Sequence, residues 1–132
     1  MEITYRDDVV PGIEEIIGVY EDSGLNRPTH DRERMKKMFE NSNLIVTAWD
    51  SGRLAGVARS LSDFCHCCYL ADLAVRKDYQ GRGIGKRLIE ITKNSGGKRT
   101  TLLLLSAPSA MGYYPKVGFG KIENGFLVQR SE

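Results

Sequence analysis

Residues Leu73–Leu88 read LAVRKDYQGRGIGKRL, a strand-like run that passes through three evenly spaced glycines into a helix-like one. Gly81, Gly83 and Gly85 alternate with Arg82 and Ile84, and Lys86 and Arg87 follow in the first turn of a helix predicted over about 83–94 from the spacing of Ile84, Leu88 and Ile91. A helix N-terminus carries partial positive charge and ordinarily favours Asp or Glu. Cations there become favourable once a polyanion sits on the free N–H groups. Glycine lets those N–H groups form a concave nest and leaves no Cβ to keep phosphate oxygens away. The competing reading is a plain strand-to-helix turn with solvated Lys and Arg, and the clustered cations favour the phosphate reading over it.

Two phosphate-binding motifs are set aside on spacing. A P-loop requires Gly-x-x-x-x-Gly-Lys followed by Ser or Thr, whereas Arg87 follows Lys86 and Gln80 stands where the first glycine belongs. A dinucleotide fingerprint requires Gly-x-Gly-x-x-Gly in a parallel βαβ unit, and these glycines are evenly spaced and follow a meander.

Outward from the loop, the pattern is βααβββαβαβ. Ile3 and Tyr5 mark a short strand, and Pro11, Glu14 and Glu15 open a helix that carries Ile13, Ile16, Ile17 and Tyr20 and ends at Gly24. Met35, Met38 and Phe39 mark a second helix over about 31–40. Strands are predicted over Leu44–Trp49, Leu54–Ser60 and Cys67–Val75, with Asp50, Ser51 and Gly52 turning between the first two. Leu102–Leu105 is an unbroken apolar run of the kind a strand shows with both faces covered. A small helix over about 109–116 and a closing strand over Phe126–Gln129 complete an α+β domain with a mixed sheet.

The 132 residues suit one domain, 1–132, large enough to bury its core without disulfide or metal. A net charge of +2, from 19 basic and 17 acidic residues, argues against nucleic acid as partner of the whole domain. No apolar run approaches the roughly 18 residues of a bilayer span and the N-terminus MEITYRDDVV has no leader pattern, so the expected location is the cytoplasm. Cys65, Cys67 and Cys68 are odd in number and crowded, and read as reduced, buried thiols. Cys65-x-x-Cys68 leads into a strand rather than a helix N-terminus, against a redox pair, and one such pair with His66 falls short of a zinc site, so no metal is expected.

The segment from Leu73 to Gly85 resembles the acetyl-CoA-binding motif of the GNAT superfamily of N-acetyltransferases, whose core Gln/Arg-x-x-Gly-x-Gly/Ala is met by Gln80, Gly83 and Gly85. A distant second motif agrees, since Tyr114-Pro115-Lys116-Val117-Gly118-Phe119 is similar to the family's Tyr-x-x-x-Gly-Phe. Ser106–Pro115 also looks like small stand-alone members, including aralkylamine acetyltransferases. The resemblance implies a mostly antiparallel central sheet flanked by about four helices, and an acyltransferase that moves acetyl from acetyl-CoA directly to a primary amine of a small molecule. It implies that backbone N–H groups of Gly81, Arg82, Gly83, Ile84, Gly85 and Lys86 hold the pyrophosphate. The strand Leu73, Ala74, Val75 would pair through its main chain with the pantetheine arm. Tyr114 would protonate the departing thiolate. Homodimers are common among relatives.

Two positions depart from the family. Ala107 stands where many members carry an Asn that touches the coenzyme, leaving Ser106 as replacement, and Ala71 stands where several carry the catalytic Glu. An alkylamine with a pKa of roughly 10.4 must still lose a proton before it attacks. Asp72 is the nearest carboxylate, aimed away from Ala71 by strand alternation unless the backbone bulges, and His66, Asp63 and Tyr69 are alternatives. Asp22, Asp63 and Asp72 would attract a cationic acceptor, while Phe64, Tyr69 and Tyr113 would seat an aromatic ring. Two rival readings stay open: a coenzyme-A-binding sensor without turnover, and a protein or peptide acetyltransferase.

Overall fold

The computed structural model describes residues 2–132. Five strands form one sheet in chain order: β1 (Ile3–Arg6), β2 (Leu44–Asp50), β3 (Arg53–Ser62), β4 (Cys67–Val75) and β5 (Thr101–Leu103). All neighbours are antiparallel except β4 and β5, which are parallel. Helices α1 (Ile13–Ser23), α2 (Arg32–Glu40), α3 (Ile84–Gly96) and the short α4 (Tyr113–Lys116) complete the mixed architecture expected from the sequence.

Local chemistry explains the boundaries. Glu14 and Glu15 complement the start of α1, and Gly24 ends it in the left-handed region. The Asp31 side chain caps α2 by accepting from the Arg34 N–H at 3.1 Å. Ser51 and Gly52 both take positive φ, the twist that a two-residue hairpin between β2 and β3 requires.

The sheet is covered on both faces. Ile16, Val19 and Tyr20 of α1 and Met35 and Phe39 of α2 pack with Ile45, Leu54, Val57 and Ala74. On the other face Ile84, Leu88 and Ile89 of α3 pack with Val46, Ala58, Cys68 and Leu70. Leu70 and Ala74 lie on the same strand with even spacing, yet belong to opposite faces. The reason is a bulge: consecutive Arg59 and Ser60 on β3 face Asp72 and Leu70 on β4, which leaves Ala71 as the extra residue.

Three expectations are corrected. β5 pairs only over Thr101–Leu103 rather than Leu102–Leu105, and one face of its apolar run is open, with Leu103 42% and Leu105 60% exposed. The expected strand over Phe126–Gln129 does not form; residues 119–132 carry no helix or strand, and Phe126 and Val128 are almost wholly exposed. Three successive apolar residues, Phe126 to Val128, give no alternation by which one face of a strand could be buried. Of the three free cysteines only Cys68 is buried, because Cys65 and Cys67 lie on the open turn before and at the start of β4.

Candidate active site

The glycine loop is built as an uncapped helix entrance. Gly81 and Gly83 take φ of 77° and 82°, and Gly83 caps α3 with no side-chain hydrogen bond. No acid occupies the first turn of α3, where Lys86 and Arg87 stand. The loop is pinned from below by Tyr79, whose buried ring donates its hydroxyl to Asp50 at 2.5 Å. Arg53 and Arg82 stack on that ring, at 5.5 and 5.9 Å from its centre. Gln80 Nε2 donates to the Val75 carbonyl at 2.8 Å and ties the loop to the end of β4.

At Gly85 a Cβ would come within 2.8 Å of the Tyr113 hydroxyl. The ring of Tyr113 therefore reaches across to the start of α3, a contact that sequence reasoning missed. This cradle, with cations around it and positive φ at Gly81 and Gly83, fits a pyrophosphate.

β4 and β5 part company after Leu103, because their pairing stops at the Tyr69–Leu103 step. The gap widens into a cavity of about 750 Å³. Leu73, Val75 and Gln80 line one side, Leu104 and Ser106 the other, and Tyr114 also faces it. Tyr114 is held edge-to-face against Phe119 at 5.5 Å and against Tyr113 at 5.2 Å. Burial, then the neighbouring Tyr113, pushes its hydroxyl above the ordinary value, with Arg27 pulling the other way. The phenol is thus a neutral donor at physiological pH.

The bulge at Ala71 turns Asp72 toward α1. Its carboxylate, with no side-chain exposure, accepts from Tyr20 Oη at 2.7 Å, Arg59 Nε at 2.6 Å and Arg27 Nε at 2.5 Å. Burial alone would raise the Asp72 pKa, but hydrogen bonding and charge from Arg59, with Arg27 and Tyr20 behind, hold it below the ordinary carboxylate value. Arg27 also donates to the Asn26 and Ala71 carbonyls, which fixes the loop between α1 and α2 over the cavity. Arg59 continues to Ser42 Oγ at 3.0 Å. Arg59, which directly follows the apolar run Leu54–Ala58 within β3, was the one sequence signal that a buried carboxylate must lie opposite.

The structure therefore brings Asp72, Tyr114, Leu73, Val75, Gln80 and Ser106 to one cavity. His66, Asp63 and Asp22 are not among its lining residues. His66 is exposed on the turn before β4, where its carbonyl accepts from Thr101 N–H. Asp63 Oδ1 closes that turn by accepting from the N–H groups of Cys65, His66 and Cys67, led by His66, which drive its pKa far down. Asp22 accepts from the Lys77 N–H at 2.8 Å. Tyr69 lines the cavity, whereas Phe64 and Tyr113 do not.

Known proteins fall in with this geometry. The acetyltransferase (GNAT) domain family matches residues 16–130. The uncharacterized N-acetyltransferase ycf52 of Pyropia yezoensis is 28% identical over 99 residues, 70% of this chain and 57% of its own length. A relative from Prochlorococcus marinus, ycf52-like, is 32% identical over 94 residues, 65% of this chain and 51% of its own. The chain spans about half the length of these curated relatives. Among solved structures, the GNAT-family acetyltransferase SP0256 of Streptococcus pneumoniae superposes with a TM-score of 0.80 at 21% identity, covering 99% of this chain and all of that one. This chain belongs to the GNAT acetyltransferase domain family.

Proposed function

We propose that the protein transfers the acetyl group of acetyl-CoA directly to the primary amine of a small molecule. One observation carries the reading: Leu73 and Val75 at the free edge of β4, Gln80 at the head of the glycine loop and Tyr114 line one cavity. In it the main chain of Leu73 and Val75 extends the pantetheine arm like an added strand, with Ala74 turned into the core behind them. The backbone of Gly81–Lys86 holds the pyrophosphate, and Ser106 stands across the groove from β4. Acetyl-CoA supplies the activated acyl group.

The acceptor's ammonium group first gives a proton to water in the open cavity; the neutral amine nitrogen then attacks the thioester carbonyl carbon, the C–S bond breaks, and the sulfur takes the proton of Tyr114. The ammonium proton that the new amide sheds restores the phenol through water in the open cavity. Asp72 is the only carboxylate among the described residues lining the cavity, and its oxygens are already engaged by Tyr20, Arg27 and Arg59. We assign it the positioning of Arg27 and β4, and ascribe most of the acceleration to holding amine and thioester at attack distance. The exposed thiols of Cys65 and Cys67 suit a reducing cytoplasm.

Release of free thiol from acetyl-CoA across a panel of primary amines tests the reading. Acetylated product from at least one of them is expected. Tight coenzyme binding with no turnover on any amine would turn it toward a sensor.

A further inference from the structure

Charge around the cavity departs from what the sequence led us to expect of the acceptor. Among the described residues four arginines line it, Arg27, Arg34, Arg59 and Arg130, against the single carboxylate of Asp72. Two of them are committed. Arg59 is mostly buried between Asp72, Ser42 and the Phe39 ring, and Arg27 spends its donors on Asp72 and two carbonyls. The other two are exposed at the rim, Arg34 on α2 and Arg130 in the C-terminal segment. Neither has an ion-pair partner among the described residues. Of the two acids nearest Arg34 in sequence, Asp31 accepts from the Arg34 main-chain N–H, and Glu33 makes no ion pair with it among the described residues.

The coenzyme's own phosphates do not account for this surplus. Gly81–Lys86, the backbone that would hold them, is not among the residues lining the cavity, and Asp72 lies three residues before Val75, about 10 Å back along β4. The acids proposed from sequence to draw in a cationic acceptor do not oppose it either, since Asp22 and Asp63 lie outside the cavity and Asp72 is neutralised twice over. A low-dielectric cleft lined by one sign of charge concentrates ligands of the other sign.

We infer that the acceptor is a small amine carrying a second, anionic group, a carboxylate or phosphate, received by the guanidinium forks of Arg34 and Arg130 at the cavity rim. The inference rests on the acetyltransferase reading and narrows its substrate class. Planar guanidinium groups bind such oxyanions in bidentate fashion, which also orients the amine toward the thioester.

The test compares 3-aminopropylphosphonate and β-alanine with butylamine as acceptors, in the wild type and in the double variant Arg34→Gln, Arg130→Gln. The acid-bearing amines should be favoured in kcat/KM by roughly tenfold or more, the effect of one charge-assisted contact, and the double variant should bring that ratio close to one. Binding of 3-aminopropylphosphonate is measured in parallel by calorimetry with coenzyme A present, so that the glycine loop is filled. The double variant should weaken it by a similar factor. Butylamine turned over as well as the acids, or phosphonate binding indifferent to the two substitutions, overturns the inference and leaves acetyl transfer standing. Arginine-dependent phosphonate binding without acetylation of any amine keeps the anion site and sinks the transferase reading instead.

Discussion

Arg27 Nε stands 2.5 Å from Asp72 Oδ1, a contact 45 positions apart in the chain that joins the loop after α1 to the bulge of β4. Because Asp72 is buried and shared with Arg59 and Tyr20, removing its charge strands two guanidinium groups. Asp72→Asn should cost about 3 kcal/mol in urea unfolding, the size expected when one member of a buried ionic cluster is lost. Tyr20→Phe, which removes one of three donors to the same carboxylate, should cost about 1 kcal/mol. A variant Asp72→Asn as stable as the wild type would remove Asp72 from the centre of the fold.

The same cluster sets the acid side of the stability profile. Asp72 is held below its ordinary value of 3.8, so its folded state binds the proton less readily than the unfolded chain. Its contribution is then complete above that ordinary value and is lost as the pH falls through and below it. Asp63, held down by three N–H groups, acts in the same direction. Unfolding free energy should therefore stay level from neutrality to about pH 5 and fall below about pH 4, and the fall should be shallower in Asp72→Asn. An identical acid slope in both proteins would refute the assignment.

How far the residues announced this architecture depends on what each segment buries. Helices with one clean face, α1, α2 and α3, followed their periodicity, because a single core face dictates which residues turn inward, while β2 and β3, buried on both faces, read as apolar runs. Leu102–Leu105 misled because an apolar run looks alike whether both faces are covered or one lines a cavity. Motifs held by the backbone, such as Gly81 and Gly83 with their positive φ, were legible from sequence since only glycine takes that conformation readily. The Arg27–Asp72–Arg59 cluster was not, because its geometry depends on one unpaired residue, Ala71, and a bulge leaves little trace in hydrophobic alternation. Without the bulge Asp72 would face α3, away from Tyr20.

Tyr114 is half-buried, packed on Phe119 and raised in pKa by burial, so it holds its proton throughout the physiological range. Tyr114→Phe keeps the ring contact and removes only the donor. Turnover should fall by roughly 10²-fold, the scale of a lost general acid, while the apparent affinity for acetyl-CoA changes little. Unfolding free energy should move by no more than about 1 kcal/mol, since among the described residues the hydroxyl makes no hydrogen bond to the rest of the fold. Undiminished kcat in the variant would transfer the proton to another donor.

Gly83 and Gly85 are two residues apart in one loop and should respond to alanine in opposite ways. Gly83 sits at φ 82° with open space around it, so Gly83→Ala meets backbone strain alone and should cost about 1–2 kcal/mol. Gly85 lies inside α3, where alanine is favoured by about 1 kcal/mol over glycine, and the only close atom is the terminal hydroxyl of Tyr113, on a ring that can swing away. Gly85→Ala should leave thermal stability level or higher. Both variants should nevertheless bind coenzyme A less tightly, by about tenfold or 1.4 kcal/mol, since one distorts the N–H nest and the other projects a methyl group beside it. Calorimetric titration with coenzyme A and thermal melts on the same samples separate the two effects. A Gly85→Ala protein that melts high and binds coenzyme A as well as the wild type would show that the phosphates lie elsewhere than at the start of α3.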